Sequence, residues 1–490
     1  MTLLLNVFTI VLHYPYYNSN YYFSAKALSH PITTQSPQGP IINDPKLKAE
    51  VVFRGLNFPT SMAFLGPNDI LVLEKNDGTV RRIVNGTMLP NPVLHVKVDN
   101  KGERGMLGIA ITKIKNNANA QPITFVFLYF TEADDSVKTS VDNSSASIDK
   151  HHHQNQPLVN RVYRYELVNN NEKLVNPKLL LSLPAFPGSA HNGGRLIIGP
   201  DNNIYLVIGD VNGDTNYSNA TTLAENIEAR PPPDGRGGIL RITQDGQPVG
   251  KGILGDKFPL NLYYGYGIRN SFGIDFDPIT KKLWDTENGP RYGDEINLVE
   301  PGFNSGWMRV QGIWEPDGPT AGDTILDPEG YLVDFGGKGK YRAPEFTWYS
   351  HQVGPTGIKF LNSNKLGKQY QNDMFVGDFH LGNLYHFKLN QSRTGLALDG
   401  PLASKIAANG TDNAIVQGII FGHGFGGITD IQVGPDGYLY ILSLYEGGDN
   451  CDPVHPRPCI QYESSLLGTI FRVAPINMLQ PQVQNDLNKN

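Results

Sequence analysis

Residues 195–213 read RLIIGPDNNIYLVIGDVNG. Two apolar runs, LII and IYLVI, flank a Gly-Pro-Asp turn, and the second run ends on Gly-Asp. Short apolar runs bounded by turn residues mark strands, and Gly, Pro, Asp and Asn supply the backbone angles of a tight reversal. The stretch predicts an antiparallel strand pair. The same phrase returns as Ser61-MAFLGPNDILVLEKNDG, as Gly273-IDFDPITKKLWDTENG and as Ile428-TDIQVGPDGYLYILSLYEGG. Two copies with longer turns begin at Met106-LGIAI, continuing to Ile123-TFVFLYF, and at Gly357-IKFL, continuing to Asp373-MFVGDF. Between copies, Arg161-VYRYEL, Gly238-ILRIT, Leu384-YHFKL and Gly468-TIFRV alternate and read as third or fourth strands.

Six such copies between about residue 50 and residue 475 predict an all-β, six-bladed β-propeller of four-stranded antiparallel blades. The repeat spacing of roughly 70 residues exceeds the 40–50 of compact blades, so long loops are expected. The longest runs from Asp134 to Pro157 and holds His151-His152-His153, a tract read as a solvated loop. The expected organisation is a signal peptide or anchor over 1–27, a linker over 28–48, the propeller over 49–477 and a flexible tail over 478–490.

Composition agrees. The 490 residues include 53 Gly and 35 Pro, and only 18% are charged, below the usual ~25%. A coiled coil is charge-rich and glycine-poor, and a disordered chain lacks the 23 Tyr and 22 Phe found here. Lys and Arg total 41 against 47 Asp and Glu, a net charge of −6, which excludes a general nucleic-acid binder. The apolar run Leu3–Leu12 is too short to span a bilayer, and with Ala25-x-Ala27 behind it predicts an export signal, although no basic residue precedes it. The protein is therefore expected outside the cytoplasm, secreted or N-terminally anchored. Sequons at Asn85, Asn143, Asn216, Asn219, Asn390 and Asn409 are compatible with this. Cys451 and Cys459, the only cysteines, are spaced for one local disulfide and match no zinc pattern.

The phase of the repeat locates the chemistry. In a meander the chain reverses at every turn, so the Gly-Pro-Asp turns share one face of the disc. The segments leading into first strands, and those leaving second strands, share the other. That second face gathers Glu103, His191, Arg269, Asn270 and Gln352 with the stretches Gly209–Asp214, Asn288–Glu295 and Asp378–His380. A histidine base, a fixed cation and several carboxylates around one pocket make a polar reaction site. Gly289 and Pro290 set backbone carbonyls beside carboxylates, a pattern suited to Ca²⁺. Two other motifs fail. Gly422-HGFGG fits G-x-G-x-x-G but precedes a strand rather than a helix, and Gly336-GKGKY lacks phosphate-loop spacing.

Beyond these readings, Lys101-GERGMLGIA, His191-NGGRLIIGPDNNIYLVIGD, Gly265-YGIRNSFGIDFDP and Glu287-NGPRYGDEINLVEPGFNSGW resemble the soluble, pyrroloquinoline quinone (PQQ)-dependent glucose and aldose sugar dehydrogenases, the glucose/sorbosone dehydrogenase family. The resemblance implies oxidation of an aldose to its lactone with PQQ and Ca²⁺, the electrons passing to an external acceptor. It implies that His191 is the general base and that Arg269 stabilises charge developing on the quinone. Asn270, Asn288, Arg291, Gln352 and His380 would contact the cofactor, Gly289 and Pro290 would hold the Ca²⁺, and Glu103 would touch the sugar.

The chain departs from the family pattern at Ala190 (family Asp), Asn288 (Gln), Gln352 (Thr) and His380 (Lys). The paired Arg residues that grip PQQ carboxylates align near Gly427 and Thr429. Two alternatives follow: an extracellular binding propeller that has lost PQQ, and a calcium-dependent lactonase or esterase.

Overall fold

The computed structural model describes residues 39–115, 122–133, 158–168, 172–212, 219–290, 292–313, 332–349, 353–407, 413–445 and 468–476. Expectations for the export signal, the loop with the His tract, the tail, Asn143, Asn216, Asn409, Arg291, Gln352, Cys451 and Cys459 lie outside these residues.

The described strands form six sheets, and helix is confined to a few short turns. Each copy of the repeat opens a sheet. The first strands are Pro59–Gly66, Met106–Ile114, Leu196–Ile198, Ser271–Phe276, Pro355–Phe360 and Ile428–Val433. Each pairs antiparallel with the strand that follows it. Each first strand also packs against the first strands of the sheets before and after it, and the sixth packs against the first. The result is a closed all-β propeller with the first strands innermost.

Burial follows from this order. The second strand Ile204–Ile208 reads IYLVI and is buried at every position, because both faces of a middle strand are covered by neighbouring sheets. Cores such as Phe127, Tyr129, Leu206, Leu240 and Tyr266 fill the spaces between sheets. The ends of the chain close the ring together: Leu47–Leu56 pairs antiparallel with Gly468–Pro475 at the edge of the last sheet. Ile41–Ile42 adds to the outer edge of the neighbouring sheet. Strand structure therefore reaches into the segment expected as a linker, and both additions cover an otherwise open edge.

The uniform four-stranded blade does not hold. The sheets carry four, five or six strands. The extra pieces are short and partly parallel: Phe303–Asn304 and Lys340–Tyr341 on one sheet, Ile406–Ala407 on another. They belong to the long excursions between copies. A chain returning from a distant loop meets the outer edge in either direction, whereas a tight hairpin must reverse.

Two cavities lie at opposite ends of the first strands. One, of about 490 Å³, is lined by turn-side residues including Gly199, Pro200, Asp277 and Pro278. The other, of about 110 Å³, is lined from the segments that lead into the first strands. The two-faced arrangement expected from the repeat is present.

Candidate active site

The smaller cavity is bordered by Lys75, Glu103, Arg195, Asn270 and Thr429 with apolar walls such as Phe272 and Phe379. His191 and Arg269 sit in the same layer, tied to it through the backbone. The His191 amide N–H donates to Glu103 Oε2 at 2.6 Å. The Gly209 N–H donates to the His191 carbonyl at 3.1 Å, and the Asp210 N–H to the Arg269 carbonyl at 2.9 Å. Four segments, at Glu103, His191, Gly209–Asp210 and Arg269, are thus stitched together. A Cβ on Gly209 would stand 2.3 Å from the Arg269 carbonyl oxygen and 2.9 Å from the His191 Cβ, so only glycine permits this approach. His191 itself lies at φ +58°, a left-handed conformation that costs a non-glycine residue of the order of 1 kcal/mol.

His191 is 5% exposed, and its Nδ1 lies 2.8 Å from Asp210 Oδ1. Asp210 is fully buried and also accepts from Trp307 Nε1 at 2.9 Å and from the Asn212 N–H at 2.9 Å. Burial pushes its carboxyl up, but His191, Arg269 and the Asn212 amide outweigh burial and hold it below the usual carboxylate range. An ionised carboxylate only accepts, so Nδ1 carries a proton, and the tautomer this favours for the neutral ring has its lone pair at Nε2.

Arg269 is 7% exposed. Its Nη1 donates to the carbonyls of Asn288 and Gly289 at 2.8 Å each, and its guanidinium lies 5.4 Å from the Trp307 ring centre. Its Nε, also buried, has no protein acceptor among the described residues. Burial lowers its pKa, opposed by Asp210, Asp294, Glu103 and Glu287.

Asn288 donates through Nδ2 to the Pro355 carbonyl at 3.0 Å. The His380 amide bonds the Val353 carbonyl, and its ring lies over Gly354, where an added Cβ would meet it at 2.9 Å. Gly289 and Pro290 lie in a loop fixed by Asp294. The Asp294 carboxylate accepts from the amides of Gly289 at 2.8 Å, Val353 at 2.8 Å and Gly354 at 2.9 Å.

The structure therefore gathers Glu103, His191, Arg269, Asn270, Asn288 and His380 on one face. The Gly289 carbonyl, one of the two expected Ca²⁺ ligands, accepts from Arg269 Nη1. Among the described residues there is also no group of three His, Cys, Asp or Glu side chains arranged to hold a metal.

Four contributors escape a sequence reading. Asp210 falls in the expected cluster, but nothing in the string pairs it with His191. Trp307 arrives from a separate excursion, signalled only by the Gly-Trp of the quoted resemblance. Arg195 stands immediately before the strand Leu196–Ile198 and Lys75 immediately after Asp69–Glu74, and each looks like an ordinary polar residue at a strand end.

Several carboxyls behind the site are buried, and burial is the first cause of each upward shift. Asp378 and Glu225 are pushed up to about 7 and Asp294 to about 6, against hydrogen bonds that pull them down. Each binds its proton more tightly folded than unfolded. Their stabilising effect is complete near pH 4 and is lost as pH rises through 6 to 7. Lys75, lowered by burial to about 8, begins to act in the opposite sense only above that window. The expected result is a higher melting temperature at pH 5 than at pH 7.5, by on the order of a few degrees. Circular dichroism melts across this range check it, and a midpoint that rises towards pH 7.5 would show these acids to be charged and compensated.

A family model described as Glucose / Sorbosone dehydrogenase matches residues 56–450. The aldose sugar dehydrogenase YliI of Escherichia coli K12 is 25% identical, the alignment covering 82% of this chain and 91% of that protein. The quinoprotein glucose dehydrogenase B of Acinetobacter calcoaceticus is 29% identical over 280 residues, 55% of this chain and 54% of the relative. The PQQ-bound aldose sugar dehydrogenase of Streptomyces coelicolor shares the fold, with a TM-score of 0.54 at 22% identity, over 89% of this chain and 100% of that one.

Proposed function

The chain belongs to the glucose/sorbosone dehydrogenase family and is a sugar dehydrogenase, and from that premise we propose that it uses PQQ to oxidise an aldose at C1 to its lactone. We read each of the six sheets as one blade and the 110 Å³ cavity as part of the reaction site. The observation that carries this reading is the His191–Asp210 pair with the Arg269 guanidinium in the same layer.

His191 Nε2 takes the proton from the C1 hydroxyl of the sugar. Asp210 keeps Nδ1 protonated, aims the ring and stabilises the imidazolium that forms. When bound, PQQ supplies a carbonyl carbon that accepts the hydride leaving C1, and the two electrons then pass to an external acceptor. Arg269 places a fixed positive charge where negative charge develops, in a water-poor setting that strengthens it. Glu103 accepts from a sugar hydroxyl through Oε1, since Oε2 is held by the His191 amide. Asn270, at the cavity wall, contacts the cofactor. The unused Nε of Arg269 and the cations Lys75 and Arg195 at the cavity fit an anionic, planar quinone. The backbone carbonyls of Gly289 and Pro290 would hold a Ca²⁺ ion, which would add positive charge beside the quinone.

The test is a PQQ titration of the purified protein, followed by aldose and an electron-accepting dye. Saturable binding at micromolar PQQ with sugar-dependent dye reduction is expected. Absence of PQQ binding would instead favour a binding propeller that has kept the pocket without the cofactor.

A further inference from the structure

The aligned positions of the carboxylate-gripping arginines fall near Gly427 and Thr429, where this chain has no charge. A different cation is available in the same cavity. Arg195 is 7% exposed and lines the 110 Å³ space with Lys75, Glu103 and Asn270. Its Nη1 donates to Asp430 Oδ1 at 2.5 Å and to Ser61 Oγ at 3.3 Å. Asp430 is itself fully buried and accepts from the Met62 amide at 2.8 Å. The arginine is therefore anchored at one nitrogen, and its direction is set. Its Nε and Nη2 are buried and have no protein acceptor among the described residues.

These two nitrogens share one edge of the guanidinium. Their N–H bonds run nearly parallel and match the two oxygens of a carboxylate. Buried donors left without acceptors are costly, and native proteins seldom keep them without a purpose. We propose that Arg195 is a carboxylate-binding residue of the central cavity, taking one carboxylate side-on through Nε and Nη2. The inference rests on the quinone reading for its occupant, one of the three carboxylates of PQQ. The cavity is sized for one such arm rather than for a tricyclic ring. Glu103 lines the same space, but its Oε2 is engaged by the His191 amide. Lys75 adds a cation there, held by the carbonyls of Gly102 and Arg104 at 2.9 Å each.

A carboxylate at this fork has two sources, the cofactor or an acidic sugar, and the experiment separates them. Equilibrium titration followed by tryptophan fluorescence compares PQQ, its neutral trimethyl ester and D-galacturonate on the wild-type chain and on Arg195→Lys. That variant keeps the charge beside Asp430 and removes the fork. A double variant, Arg195→Gln with Asp430→Asn, removes both charges together, so no buried ion is stranded and a folded protein is available if the single variant fails. The expected result is at least a tenfold weaker Kd for PQQ in both variants, with the ester binding all three proteins alike. If PQQ binds wild type and variants equally, Arg195 is not a ligand and the quinone reading survives. If wild type ignores PQQ but binds galacturonate in an Arg195-dependent way, the fork stands and the quinone reading falls. Binding of neither overturns both.

Discussion

Replacing His191 by alanine lowers kcat by a factor on the order of 10²–10⁴, the usual contribution of a positioned general base. The C1 hydroxyl of a sugar is a weak acid, and loss of hydride from C1 needs its proton removed in the same transition state. On the proposed mechanism His191 would do this, and three independent restraints hold it: its amide on Glu103, its carbonyl on Gly209 and its Nδ1 on Asp210. None of them uses Nε2. PQQ affinity is expected to stay within a few-fold, because the proposed mechanism assigns the cofactor to other residues. Added imidazole should restore part of the rate in the alanine variant, an outcome that a purely structural role would not produce. A kcat within threefold of wild type would remove His191 from the chemistry.

The fold was legible because its signal is local and repeated. RLIIGPDNNIYLVIGD states a strand, a turn and a strand within sixteen residues, and copies of it set the number and order of sheets. The phase of the same repeat brought His191, Arg269, Asn270 and Asn288 to one face without any knowledge of contacts. What stayed hidden depended on long-range geometry. Strand additions such as Phe303–Asn304 and Ile41–Ile42 follow from where loops return, and no short pattern encodes that. Asp210 is 19 residues from His191 in sequence but 2.8 Å from it in space. Arg195 looks like any polar residue just ahead of a strand. Only the three-dimensional structure shows Asp430, 235 residues away, holding one end of it. The Gly289 carbonyl was legible as an oxygen donor, but its engagement by Arg269 was not.

Replacing Asp210 by asparagine should cost nearly as much as losing the base, although Asp210 touches no substrate. Among the described residues the carboxylate accepts from the His191 ring, the Trp307 indole and the Asn212 amide. An asparagine has one acceptor oxygen and one donor nitrogen. If its oxygen faces His191 and Asn212, its NH₂ opposes the Trp307 N–H, and two buried donors are left in conflict. If it flips, its NH₂ faces Nδ1, which must then accept. The imidazole proton moves to Nε2, and the base is blocked. The second arrangement removes the donor conflict at Trp307 but leaves the Asn212 amide without its acceptor. Either outcome costs about 1–3 kcal/mol of stability for an unsatisfied buried group. The flipped one also lowers kcat by a factor on the order of 10³–10⁴, the scale seen when a histidine is locked in the wrong tautomer. The decisive readouts are the split between kinetic constants and the effect of pH. For a positioning residue, the sugar KM and the PQQ Kd stay within a few-fold while kcat collapses. The acid limb of the kcat profile moves to lower pH, because the carboxylate that favoured the imidazolium is gone. Asp210→Glu, which keeps the charge on a longer arm, should recover part of the rate. A variant that loses stability and rate in equal measure, with an unchanged pH profile, would reduce Asp210 to a packing residue beneath Trp307.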